Sequence, residues 1–447
     1  MSNGQLPETA RDWHIRIRGL TWPVILANLT IPLVGVADVA VMGQLPDPAF
    51  IGAVAMGAAL FSAIYWLFGF LRMGTTGLAA QCFGRDATAE AGAVFMRAAA
   101  TASLLGVGLI ILQHPIEALL FSLFSASEQT ANLAQTYFSL RIYSAPAVLL
   151  YLVELGLLFG MQRMRETLIL SVALNLTNLI LDLVFVLGLD MGIRGVAIGT
   201  LISEWGAAVS GLWIVWRCLK SSGWQPARPK QLWESKAVSA LFHVSSNLLI
   251  RTFFVQLPFF VGVIFATRAG DLTLAAHGVL MQIFFVTMYA LDALAHTAET
   301  LAGYSYGAEN RRALRRTLYY CGLWAGMLAT ITALLILFLG DWFIHGLTQN
   351  AQVRNIAQSF LPWLALTPLT CAGAFLLDGI FVGTTHVTQM RNAMAVAALV
   401  WAGSLYLSAE LLGYHAVWLS MSIFMVTRTL LLSTYYPRLE RSTEPSQ

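Results

Sequence analysis

The chain has 447 residues, of which 57% are hydrophobic and only 11% charged, with a formal net charge of +3 and a mean hydropathy of +0.69. A soluble domain carries roughly twice that share of charge. No single core absorbs so much apolar surface, so the composition excludes a soluble protein and points to an all-α polytopic membrane protein.

The N-terminus is polar up to Arg18, and no small-residue cleavage motif follows the first apolar run. That run therefore reads as a retained first span and not as a leader. In chain order, spans of about 20 apolar residues are expected at roughly 19–43, 50–80, 93–113, 134–161, 166–189 and 195–217. Six more are expected at roughly 238–266, 272–304, 317–338, 355–383, 391–411 and 414–435. The expected organisation is an N-terminal lobe over roughly 1–217, a linker over 218–237, a C-terminal lobe over 238–437 and a tail over 438–447. The four cysteines, Cys82, Cys218, Cys321 and Cys371, show no metal-ligand spacing. No disulfide is expected among them.

Lys and Arg set the orientation. One set of loops holds basic runs such as Arg163 with Arg165, the stretch from Arg217 to Lys236, and Arg311, Arg312, Arg315 and Arg316. The other set holds only Arg194, Arg268 and Arg354. Both termini and the linker are therefore expected on the cytoplasmic side of an inner membrane.

The two halves are alike. "LAAQCFGR" (Leu78–Arg85) ends span two and "LAGYSYGA" (Leu301–Ala308) ends span eight. The same register pairs Ala53 with Ala276, Phe61 with Phe284, Leu71 with Leu294 and Gly160 with Gly383. Each half holds an even number of spans, so the repeats share one orientation. Two parallel six-helix lobes are a transporter architecture.

A carboxylate at mid-bilayer costs about 2.5–3.5 kcal/mol on insertion scales, so it tends to face a cavity and act there. Candidates are Asp38, Glu154, Asp182, Glu204, Asp292, Glu299 and Asp378. In "NLTNLILD" (Asn175–Asp182), Asn178 and Asp182 stand one turn apart and share a helix face. Asp38 lies about 6 residues, roughly 9 Å, before the outer end of span one; Asp182 lies about 8 residues, roughly 12 Å, before that of span five. Thr200 lies about 6 residues, roughly 9 Å, into span six, so all four groups fall at matched depth in the N-terminal lobe. Taken singly, Asn178 or Thr200 reads better as interhelical glue. Two acids sharing a low-dielectric pocket do not both ionise easily, so the pair suits exchange of a proton for a cation.

In the other half, Asp292, His296 and Glu299 lie at one-turn spacings on span eight, a face fit for a proton relay. Asp378 in span ten reads equally as a second cation site or as the partner of an intramembrane arginine: Arg72, Arg141, Arg251 or Arg428. Trp66, Trp205, Trp213, Trp342 and Trp401 read as interfacial belt residues before pathway residues. Pro23, early in span one, lacks an amide donor and is expected to bend that helix. No phosphate loop, metal cluster or nucleophile–base pair stands out, so neither ATP-driven transport nor an enzyme is expected.

"IPLVGVADVAVMGQL" (Ile31–Leu45), "TTGLAAQCFGR" (Thr75–Arg85), "NLTNLILD" and "LLDGIFVGTTHVTQMRN" (Leu376–Asn392) together resemble the multidrug and toxic compound extrusion (MATE) family, DinF-like branch. The resemblance covers nearly the whole chain. It implies a MATE-like fold of twelve helices in two pseudo-symmetric six-helix lobes. It also implies that Asp38, Asn178, Asp182 and Thr200 form the N-lobe site for H+ or Na+, and that Pro23 is the helix-bending proline. Other branches carry an acid in span seven; this chain has Gln256 and Arg251 there, while Asp378 matches the family's span-ten acid.

The expectation is an antiporter that exports amphipathic, cationic organic compounds from the cytoplasm against inward flow of protons, in preference to sodium. No cofactor beyond the coupling ion is expected. Small-molecule substrates and membrane lipids are the expected partners, with no nucleic acid, and the chain is expected to work as a monomer. The rival reading is a lipid-linked oligosaccharide flippase of related topology, a class that carries a cationic cavity and extra spans.

Overall fold

The computed structural model describes residues 6–42, 49–121, 127–224 and 232–443, and at 31–40, 42 and 120 the backbone alone. Eleven of its helices are long and apolar enough to cross a membrane, and helix Ala10–Met42 makes the twelfth. Span one is Ala10–Met42. Spans two to six are Ala49–Gly84, Thr88–Ile111, Glu128–Gly160, Met164–Gly188 and Gly192–Ser221. Spans seven to twelve are Ser235–Arg268, Asp271–Gly307, Arg311–Leu347, Ala351–Gly383, Val387–Leu412 and His415–Arg441. No strand occurs among the described residues. The chain is an all-α membrane protein with twelve spans in two halves of like build.

Several helices outrun the expected spans, because hydropathy registers only the stretch that faces hydrocarbon. Span nine starts at Arg311, where the Asn310 side chain caps it by accepting from the Ala313 amide at 2.9 Å. Its first turns are basic, and Arg311 Nε and Arg315 Nε donate to Glu440 at 3.0 and 2.9 Å.

Three spans are interrupted where the sequence reads as continuous. Span two breaks at Phe68–Gly69, between Ala49–Leu67 and Phe70–Gly84. Span four passes through a tight turn at Ile142–Ser144. There Pro146 has no amide to offer the Ile142 carbonyl, which takes the Ala145 amide instead. Gly106 of span three lets this kink approach, since a Cβ on it would stand 2.4 Å from Pro146 Cα. Span five is α-helical to Asp182 and then widens into a π-helical turn at Leu183–Gly188.

The chain divides into two compact units, Leu26–Phe242 and Met1–Ile25 with His243–Gln447. The chain passes between them twice, inside span one just after Pro23 and inside span seven at Phe242–His243. The first turns of that helix pack with the C-terminal unit. Trp13 stacks on Tyr320 at 5.8 Å, His14 accepts from Trp324 Nε1 at 3.0 Å, and the Thr21 and Thr297 hydroxyls meet at 2.9 Å.

One very close helix crossing occurs in both units at matching positions. Cβ atoms on Gly156 and Gly160 of span four would stand 2.6 Å from the Arg72 carbonyl oxygen and 3.2 Å from that of Thr76. Cβ atoms on Gly379 and Gly383 of span ten would stand 2.3 Å from the Ala295 oxygen and 2.0 Å from that of Glu299. The register that pairs Gly160 with Gly383 also pairs Gly156 with Gly379, Arg72 with Ala295 and Thr76 with Glu299. The repeat in the sequence is thus a repeated crossing, of the kind small residues four apart permit in membranes.

Candidate functional site

In the N-terminal unit, span five places Asn178 and Asp182 on one buried face, with Asp182 only 1% exposed. Span six meets that face with Thr200, whose hydroxyl accepts from Asn178 Nδ2 at 3.2 Å. Gly199 makes the approach feasible: a Cβ on it would stand 2.6 Å from Asp182 Oδ1 and 3.3 Å from Leu181 Cβ. Asp38 lies on the span-one helix, with its side chain outside the described residues. One turn closer to the start of span five, Asn175 Nδ2 donates to the Thr30 hydroxyl of span one. Three of the expected residues therefore come together, and span one docks on the same helix.

Gly199, Asn175, Thr30 and the π-turn were not singled out from the sequence. Asn175 had a signal, since it continues the polar face of Asn178. The π-turn had none; such turns recur at functional sites, and this one begins on the residue after Asp182. Gly199→Ala is expected to push the Asp182 carboxylate aside, because the new methyl would stand 2.6 Å from Asp182 Oδ1 with Leu181 Cβ only 3.3 Å away. Overpacking of this kind costs about 1–3 kcal/mol, or roughly ten- to a hundredfold in ion affinity if the acid takes the displacement. The check is gradient-driven transport by variant protein that reaches the membrane at the wild-type level.

The intramembrane arginines find partners, most of them on other spans. Arg141 Nη2 donates to Glu204 at 2.8 Å and Arg141 Nη1 to the Tyr137 hydroxyl at 2.8 Å, with the guanidinium 4.8 Å from the Phe61 ring centre. Arg72 lies 5.4 Å from the Phe159 ring centre. In the C-terminal unit, Arg251 of span seven and Arg428 of span twelve both donate to Asp378 Oδ2, and all three side chains are buried. The structural pairing, one of the two roles open for Asp378, is the arrangement present. Two guanidiniums around one carboxylate leave that spot net positive, the wrong sign for a cation.

The Asp292–His296–Glu299 face comes together as spaced. His296 Nε2 is 3.0 Å from Asp292 Oδ2 and His296 Nδ1 is 3.4 Å from Glu299 Oε2. One imidazole thus links a half-exposed carboxylate to a buried one. Gln256 is half-buried on span seven, one turn after buried Thr252. Trp66, Trp205, Trp213 and Trp342 are exposed, as belt residues are, whereas Trp401 is buried. All four cysteines are free and buried.

The MatE family model matches this chain twice, over residues 23–184 and 248–407, which is the internal repeat seen from outside. The chain is 34% identical over 426 residues to DNA damage-inducible protein F of Escherichia coli strain K12, covering 95% of this chain and 91% of that protein. It is 20% identical over 379 residues to multidrug export protein MepA of Staphylococcus aureus strain MSSA476, covering 84% and 82%. Its fold matches that of a MOP superfamily transporter from Pyrococcus furiosus with a TM-score of 0.87 at 19% identity, covering 96% of both chains. On these matches, the chain belongs to the MatE family, the multidrug and toxic compound extrusion transporters, on its DinF-like branch.

Proposed function

We propose that this transporter is a proton-coupled antiporter of the inner membrane that exports amphipathic, cationic organic compounds from the cytoplasm. The observation that carries the reading is Asp182, wholly enclosed yet set against the hydrogen-bonded Asn178–Thr200 pair. A buried carboxylate among neutral oxygens alternates between holding a proton and holding a cation. The relative named as a multidrug export protein supports an organic substrate. In this reading Asp38 shares the pocket, Pro23 lets span one bend with its protonation, and the Asp292–His296–Glu299 face offers a second proton route. Sodium is the second reading, favoured by the neutral oxygens of Asn178 and Thr200. Ethidium uptake into everted vesicles, whose cytoplasmic face is outward, with a pH or a sodium gradient imposed alone, separates the two. Uptake under neither gradient overturns the antiporter.

Export also requires the orientation set by the basic loops. Gly223 sits at φ +76, where a new side chain is strained, so the reporter belongs on exposed Ser222. In a background without the native cysteines, Ser222→Cys is expected to resist an impermeant thiol reagent in intact spheroplasts and to react after lysis. Labelling before lysis reverses the topology and, with it, the direction of transport.

A further inference from the structure

Glu154 of span four is used by nothing described so far. Its side chain is 0% exposed, and among the described residues neither carboxyl oxygen meets a hydrogen-bond partner. The space it fills is left by Gly211 of span six, where a Cβ would stand 1.9 Å from Glu154 Oε2. Leu170 of span five closes the same pocket, 3.2 Å from that Cβ position. Span two faces the opposite side of span four, at Gly156, and turns Arg72 to the Phe159 ring. Span three meets span four at Pro146, two turns away. The titratable neighbour is Tyr151 of the same helix. An ionised carboxylate with apolar walls and no donor is too costly to keep, so the group holds its proton.

A proton there is useful only if it can move, and the neighbouring helix offers a route. Tyr151, three residues before Glu154, shares a hydrogen bond of 3.0 Å with Ser171 of span five. Ser171 belongs to a polar stripe of Thr167, Ser171, Asn175, Asn178 and Asp182, spaced by three or four residues along one helix face. Its members bond in turn to Tyr151, Thr30 and Thr200, on spans four, one and six. From Asp182 to Ser171 the stripe covers about 16 Å of helix axis. Asp182 is the last member of the stripe, and Glu154 stands one helical turn from the Tyr151 that bonds its Ser171.

We propose that Glu154 is a second proton-binding site of the N-terminal unit, one helical turn from the Tyr151 that bonds the span-five stripe. It gives up its proton to water at the cytoplasmic end of span four. It regains one from the Tyr151 hydroxyl, which Ser171 reprotonates, once the Glu154 side chain turns to reach Tyr151, since among the described residues neither carboxyl oxygen is hydrogen-bonded in this arrangement. Only O–H bonds break and form, and nothing is oxidised or reduced. The inference rests on the proton-coupled reading above.

The test has two arms. The first is infrared spectroscopy of the purified protein at pH 7 in H2O and D2O. The wild type is expected to show the deuterium-sensitive C=O stretch of a protonated carboxyl, and Glu154→Gln to lose it; identical spectra overturn the site. The second is efflux from vesicles under an imposed pH gradient. Glu154→Gln is expected to lower it on the order of tenfold while leaving gradient-free substrate exchange at the wild-type rate. Glu154→Met, which keeps the volume and apolarity, replaces Gln should that variant fail to insert. Pumping at the wild-type rate in either variant overturns the relay. Absence of pH-driven efflux in the wild type instead removes the proton-coupled reading, and the infrared arm still reports whether Glu154 holds a proton.

Discussion

Asp182→Asn is expected to abolish gradient-driven efflux while the protein is still made, folded and inserted. The two side chains are near-isosteres, so the packing against Gly199 survives the exchange. What is lost is the titratable group and its charge. At an effective dielectric of about 20, a unit charge pair at 4 Å interacts by about 4 kcal/mol, close to a thousandfold in cation affinity. Folding is not expected to suffer, because a neutral amide is cheaper to bury than a carboxylate. The measurement is gradient-driven ethidium uptake into everted vesicles beside the thermal stability of the purified protein. Uptake at the wild-type rate makes Asp182 interhelical glue and moves the coupling site elsewhere, first to the His296 face.

The twelve spans were legible because hydrocarbon imposes one requirement on every helix, an apolar run of sufficient length. The repeat was legible because close crossings demand small residues at fixed positions, and Gly160 and Gly383 are the same crossing twice. Asn178 and Asp182 were legible as a pair because both lie on one helix, where spacing alone decides which side chains share a face. The arginine partners were hidden for the converse reason. Arg251 and Asp378 are far apart in the chain, and nothing local in either span says that they meet. Gly199 was hidden too, since a glycine's role is defined by what approaches it. The π-turn after Asp182 leaves an ordinary apolar stretch in the sequence.

The second large effect is expected at Asp378. Arg428 is 2% exposed, and Arg251 and Asp378 are nearly as deeply buried, with both guanidiniums donating to one carboxylate oxygen. Asp378→Ala leaves two like charges side by side with no counter-charge, and breaking a buried pair from one side costs about 3–5 kcal/mol. The variant is expected to accumulate poorly and to unfold in detergent at a clearly lower temperature than the wild type. Replacing the whole group by apolar residues, Asp378→Leu with Arg251→Met and Arg428→Met, is expected to restore most of that stability, because no charge is then stranded. The two roles open for Asp378 predict opposite patterns. A cation ligand, once neutralised, leaves stability intact and removes transport. A counter-charge to two arginines, once removed, takes the fold with it, and the triple replacement brings the fold back. Asp378→Ala with wild-type stability and no transport places a cation site in the C-terminal unit after all.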